Sequence, residues 1–393
     1  MDIPLPSSVP GRSGPLPASA SAASAATATR ADAGIAGRAG AWVVLLGTVI
    51  TTVSLSWDVQ WHVEVGPDTF FTLSHLALYS GSALSGVASL VMVLMTTAAQ
   101  RAGRPLPRSV GGTPVRVFGG AFTAPLGYLI SGIGAASFLL YGLLDLQWHS
   151  IYGFDAVLNT PSHVALFLSI TLTMVGSIIV FAAADDRRWA QIGVLLAIPV
   201  LITFAPISAQ GLSNLSLPFD PVTAATILVA TILLVLGASI LHRPGAALAI
   251  AAVLGILQEF LWWFSPWAAE TYAHSVGLPL RDYLPAGIPP VLPSGIPMFL
   301  GVAALAVEIA FRLARTRDLN ARKVMLITGT IAGLIIAAGI PLQANLTDPT
   351  SQMTTHDILV TIALGLPLGA LAGFLGGPFT LMLRALAPAP KEA

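Results

Sequence analysis

Residues 162–188 read SHVALFLSITLTMVGSIIVFAAADDRR, an apolar run in which no charged residue follows His163 until Asp185. Roughly 20 such residues cross the hydrocarbon core of a bilayer, where a helix satisfies its own backbone polar groups without water. Comparable runs lie on both sides of it, at 41–61, 73–98, 117–148, 189–207, 222–241, 246–264, 296–314, 324–343 and 357–383. With 162–184 they make about ten spans, so the expected fold is all-α, a polytopic transmembrane helical bundle. The run 117–148 is long enough to tilt or to project beyond the lipid.

Composition points the same way. Hydrophobic residues make up 55% of the 393 and charged residues 9%, with a mean hydropathy of +0.82. A soluble domain carries about 25% charged residues. Net charge is zero and no long basic run exists, which removes the electrostatic case for nucleic acid as a partner. The bilayer itself is the partner that this composition demands. Cysteine is absent, which excludes disulfides, thiolate metal sites and cysteine nucleophiles.

Residues 1–38 are rich in Ala, Ser, Pro and Gly and have no apolar face, as expected of a disordered tail. They lack the basic start and apolar stretch of a secretory signal, so the first span reads as an anchor. All but Arg281 of the 18 basic residues fall in that tail, in alternate loops or at the chain's end. The positive-inside rule then places both termini in the cytoplasm of a multi-pass plasma-membrane protein. Sixteen arginines against two lysines suggest a high-GC bacterial genome. The outer loops are 62–72, 149–161, 208–221, 265–295 and 344–356. The fourth, beginning beside Trp262, Trp263 and Trp267 and rich in proline, reads as an ordered lid or as a proline-stiffened loop under an aromatic belt.

Two outer turns carry the same polar pattern. The first reads WDVQWH at 57–62 and then TLSH at 72–75; the second reads LDLQWH at 144–149 and then TPSH at 160–163. Asp58 and His62 are four apart, as are Asp145 and His149, and that spacing stacks both side chains on one helix face. His75 and His163 follow 13 and 14 residues later, where a short turn brings them back beside the first pair. Each turn thus offers two imidazoles and a carboxylate, a set suited to Cu(II), Zn(II) or non-haem Fe(II), whereas Mg and Ca prefer oxygen shells. Polar groups of this kind near lipid are costly without function. Gln60 and Gln147 lie on another helix face, as packing residues or supports of the ligands. Trp61 and Trp148 read as interfacial anchors.

The stretch WHVEVGPDTFFTLSH at 61–75, with Asp58 before it, resembles the C subunit of the copper membrane monooxygenases, the family of particulate methane, ammonia and related hydrocarbon monooxygenases. The resemblance covers roughly 41–207. It implies a copper site at Asp58, His62 and His75. It implies a second at Asp145, His149 and His163, where the family has asparagine in place of the aspartate. It further implies O2-dependent hydroxylation of a small apolar substrate within a multi-subunit assembly, so partner membrane subunits or further copies of the chain are the expected protein partners. About five spans beyond 207 have no counterpart in the family's C subunit. The domains expected are therefore a tail at 1–38, a metal-binding membrane domain at 39–207 and an additional helical domain at 208–393.

Other polar residues of the second half suggest a competing class, transport or homeostasis of copper or another divalent ion. Glu259 and Glu308 are acids inside spans and would mark a route across the bilayer. Gln343 and His356, 13 apart, suggest a decayed third copy, although Gly339 stands where the carboxylate would be. His242 and His274 have no partner at ligand spacing and read as interfacial. A third class is a scaffold protein in which the paired pattern is structural only. No HExxH, P-loop, GxSxG or dinucleotide fingerprint is found.

Overall fold

The computed structural model describes residues 18–66, 69–153, 158–282, 284, 289–317, 319–348 and 353–386, with side chains from Gly34 onward. The helices are α1 (Ala18–Glu64), α2 (Leu73–Arg101), α3 (Leu126–Tyr152), α4 (Pro161–Ala182), α5 (Arg188–Ser208), α6 (Pro221–Leu241), α7 (Ala246–Val276), α8 (Val291–Gly295), α9 (Leu300–Arg317), α10 (Ala321–Thr347) and α11 (Thr355–Leu386). Two short strands, β1 (Pro114–Val117) and β2 (Phe122–Pro125), pair antiparallel between α2 and α3. Among the described residues, ten helical stretches are long and apolar enough to cross a membrane, α8 and α9 together counting as one. The protein is an all-α polytopic bundle.

Local chemistry starts the helices. Thr160 caps α4 ahead of Pro161, and Asp220 caps α6 ahead of Pro221, its carboxylate accepting from the Val222 and Thr223 amides. Proline at the first helical position has no amide to leave unsatisfied. Within the spans, buried Thr51, Thr52, Thr173, Thr231 and Thr380 each donate to the carbonyl four residues back, which hides their hydroxyls from lipid.

Helices α1/α2, α3/α4 and α10/α11 form close antiparallel hairpins, and α4, α5 and α6 lie most enclosed. Helices α7 and α8 pack on α1, and one continuous apolar core runs from Ala41 to Leu386. The segments 39–207 and 208–393 therefore share a core rather than standing apart.

Three sequence expectations are revised. Residues 18–38 are helical where composition suggested a tail, as an alanine-rich stretch of high helix propensity permits; residues 1–17 lie outside the described residues. Span three begins at Leu126 and not at 117, because Gly119 and Gly120 adopt positive φ and turn the chain into the β1–β2 hairpin. Thr97 ties that hairpin to α2, accepting from the Thr123 amide and donating to the Thr123 carbonyl. Helix α7 runs through Pro266 to Val276, so the loop expected at 265–295 is helical in its first part. Beside that proline, buried Ser265 shares a hydrogen bond of 2.7 Å with Ser56 of α1.

The end of that loop packs into the bundle as α8, held by three buried glutamines. Gln258 of α7 donates to the Pro293 and Ile296 carbonyls, and Gln60 of α1 accepts from the Val291 amide. Gln343 of α10 donates to the Ser294 and Ile296 carbonyls and accepts from the Met298 amide. An irregular segment packed into a membrane bundle needs such partners for its backbone groups. Gln343→Leu leaves the Ser294 carbonyl and the Met298 amide unmatched, while Gln258 still serves the Ile296 carbonyl, and we expect a loss of about 2 kcal/mol, read as a lowered melting temperature in detergent.

Candidate metal centre

Asp58 and His62 lie in the last two turns of α1, and His75 lies in the first turn of α2. The turn between them is short, so the return places the second imidazole over the first pair. The Asp58 carboxylate lies 3.6 Å from His62 Nε2 and 3.2 Å from His75 Nε2. The α3–α4 turn repeats this geometry: the Asp145 carboxylate is 3.5 Å from His149 Nε2 and 3.5 Å from His163 Nε2. Ring centroids of the paired histidines are 6.2 Å apart in the first group and 5.8 Å in the second. All six residues singled out in the sequence are thereby brought into two groups of three, with the ligand atoms of each within 4.8 Å of one another.

The carboxylate–imidazole separations of 3.2–3.6 Å match those around a shared ion about 2 Å from each. Two further observations agree with a cation. Among the described residues, the Asp145 Oδ1 atom is buried without a hydrogen bond, its neighbour being the His163 ring. The outward ring nitrogens of two histidines are also occupied, since His75 Nδ1 lies 3.0 Å from the Thr69 carbonyl and His149 Nδ1 3.2 Å from the Gly153 carbonyl. Donating from Nδ1 fixes the tautomer and leaves Nε2 to coordinate. Each group can hold a metal ion; copper, zinc and non-haem iron all accept this donor set.

The two groups share one cavity of about 60 Å³, room for a few water-sized molecules. Its polar rim is the six ligands, and its floor includes Leu55, Val59, Phe138, Leu166 and Ile170. A second cavity of about 340 Å³, lined by Phe70, His75, Tyr79, Asp145, Leu146 and His149, borders both groups from between α2 and α3. Apolar side chains flank it on the bundle's outer face, where Leu76, Leu143 and Leu146 are exposed.

Several neighbours of the ligands carry no metal-site signature of their own in the sequence. Ser74 donates a 2.7 Å hydrogen bond to Asp58 Oδ1. Its counterpart Ser162 approaches Thr160 instead, at 3.4 Å. The recurring Ser-His pair is the signal that marks Ser74. One helical turn past the second histidine of each group, an aromatic ring stacks on it: Tyr79 on His75 and Phe167 on His163. Ser74→Ala is expected to weaken metal binding about tenfold at the Asp58 group and to leave the Asp145 group unchanged, as titration with a competing chelator will show.

Other sequence candidates fall elsewhere. Trp61 is buried against Tyr272 of α7 at 4.9 Å and is a core residue, not an interfacial anchor. Trp148 is half-buried and packs on Tyr152. Gln60 braces α8 as described, and Gln147 is exposed. Glu308 accepts from the Gly245 and Ala247 amides, at 2.9 and 2.7 Å, and so caps α7. Glu259 is exposed on the outer face of α7. Gln343 is committed to the α8 region and His356 is exposed beside Asp357, so no third group forms among the described residues. His242 ends α6 in contact with Arg384, and His274 is exposed.

No protein-family model matches the chain, and neither the curated proteins nor the solved structures contain a match to it.

Proposed function

We propose that the chain is a copper-binding integral-membrane protein that acts as, or within, a monooxygenase for small apolar molecules, as its resemblance to the C subunit of the copper membrane monooxygenases implies. The observation that carries this reading is the shared cavity: two imidazole–carboxylate groups open onto one small apolar chamber, with a larger opening toward the bundle's lipid-facing side. Asp58, His62 and His75 would hold one ion and Asp145, His149 and His163 the other. Copper there would supply one-electron redox chemistry and the activation of O2. The chain's own contribution is positioning and exclusion. Ser74 and the Thr69 and Gly153 carbonyls hold the ligands in place. Leu55, Val59, Phe138 and Leu166 keep water from the floor and offer an apolar surface to the substrate.

In this reading both termini are cytoplasmic and the metal groups face the other side of the plasma membrane, following the arginine distribution. Partner subunits, or further copies of the chain, would deliver electrons.

The alternative, a transporter or homeostasis protein for copper or another divalent ion, needs a polar route. Glu308 is committed to the α7 terminus and Glu259 faces outward, and neither lines the cavity beneath the ligands. The deciding experiment uses native membranes supplied with copper, a quinol reductant and a light alkane. Reductant-dependent O2 consumption that disappears in His62→Ala supports the oxygenase. Consumption equal in wild type and variant, together with copper uptake into proteoliposomes that falls in Glu308→Gln, overturns it.

A further inference from the structure

At the opposite end of the bundle from the ligand groups, α10 and α11 enclose a trough of about 380 Å³. We propose that it binds an anionic phospholipid, with the phosphate on Arg322 and Lys323 and one acyl chain along the helices below.

Among the described residues, the charged part of the trough has no internal use. Asn320 caps α10 by accepting from the backbone amides of Arg322 and Lys323, which satisfies the helix start. Their side chains are exposed and have no carboxylate within ion-pair distance among the described residues, and no acid lines the trough. Two adjacent cations beside a membrane span attract the phosphate of an anionic lipid.

The apolar part has the shape for a chain. Helices α10 and α11 approach closely through Gly329, Gly333, Gly369 and Gly373, where an added Cβ would meet opposing backbone within 3 Å. Past that contact the same row of small residues continues to Gly377, where an added Cβ would meet nothing within 4 Å. That open space is the trough, walled by Met325, Leu326, Phe374 and Pro378. Leu326 and Phe374 are 42% and 67% exposed, so the slot opens toward lipid rather than into the core. Cations at one end and an apolar slot below match a phospholipid in both charge and hydrophobicity; a free phosphate would use only the first.

The test is photo-crosslinking of the purified full-length protein with phosphatidylglycerol carrying a diazirine in one acyl chain, mapped by peptide mass spectrometry. Labelling of α10 and α11 around Leu326 and Phe374 is expected. Unlabelled phosphatidylglycerol should compete about thirtyfold better than phosphatidylcholine, the factor for two cations near the headgroup. The Arg322→Gln/Lys323→Gln double variant, which alters exposed side chains only, should reduce that preference to about unity. Gly377→Leu should remove crosslinking by either lipid while keeping the wild-type melting temperature. Equal competition by the two lipids, a preference unchanged in the double variant, full crosslinking in Gly377→Leu, or displacement by millimolar inorganic phosphate would each overturn the assignment.

Discussion

Protein purified from copper-supplied cells is expected to hold two copper ions per chain, one in Asp58→Ala, one in Asp145→Ala and none in the double variant. The ligand groups share no residue, because each is built on its own helical hairpin, so each single variant should lose one ion. Removing the carboxylate takes away the only anion of a three-ligand set and leaves two imidazoles, and we expect at least a 100-fold loss of affinity there. Both groups border one cavity, so two bound cations repel one another through a medium of low dielectric. The second ion should therefore bind more weakly than the first, and its affinity should rise when the other group is emptied by mutation. Metal analysis gives the stoichiometry, and electron paramagnetic resonance separates the two environments. Copper-free wild type, or single variants with undiminished copper, would exclude both groups as copper sites.

The ten spans and the ligand groups were legible in the sequence for related reasons. Lipid cannot hydrogen-bond a backbone, so each crossing must be a continuous apolar helix, and that requirement is written locally at 162–184 as elsewhere. The ligands are equally local: four residues make one helical turn, and a short turn returns His75 beside Asp58. What escaped depends on distant packing. Nothing near Trp61 says that Tyr272 of α7 will cover it, and nothing near Gln343 says that it will clamp the short helix α8 49 residues earlier, at Ser294. Pro266 reads as a helix end, yet in a bundle the neighbouring helices support the interrupted turn. Glu308 reads as a functional acid, whereas its two oxygens close the start of α7. The shared cavity is the strongest case, since it exists only because α2 packs on α3 and α1 on α4.

Gly134→Leu is expected to empty the Asp145 group while the Asp58 group keeps its ion. Gly134 lies 11 residues before Asp145 on α3, about 16 Å along the helix, so the substitution touches no ligand. A Cβ at this position would stand 2.6 Å from the Thr173 amide nitrogen and 2.7 Å from the Ser169 carbonyl oxygen of α4. Those are backbone atoms and no rotamer change removes them, so α3 and α4 must separate. Overpacking of this kind costs about 1–3 kcal/mol, and the close approach that holds the hairpin is lost with it. Asp145 and His149 belong to α3 and His163 to α4, so separation opens the ligand set itself. The Asp58 group depends instead on α1 and α2, where Gly47 meets the Gly81 carbonyl and Ser85 in the corresponding way. Gly142 of α3 supplies the control. A Cβ there meets nothing within 4 Å, so Gly142→Ala should keep both ions and add up to about 1 kcal/mol of helix stability. One bound copper and a melting temperature lower by several degrees in Gly134→Leu, against two and no decrease in Gly142→Ala, would show that the metal group is held by the glycine contact deep in its hairpin. Two coppers in Gly134→Leu would mean that the turn alone suffices to assemble the ligands.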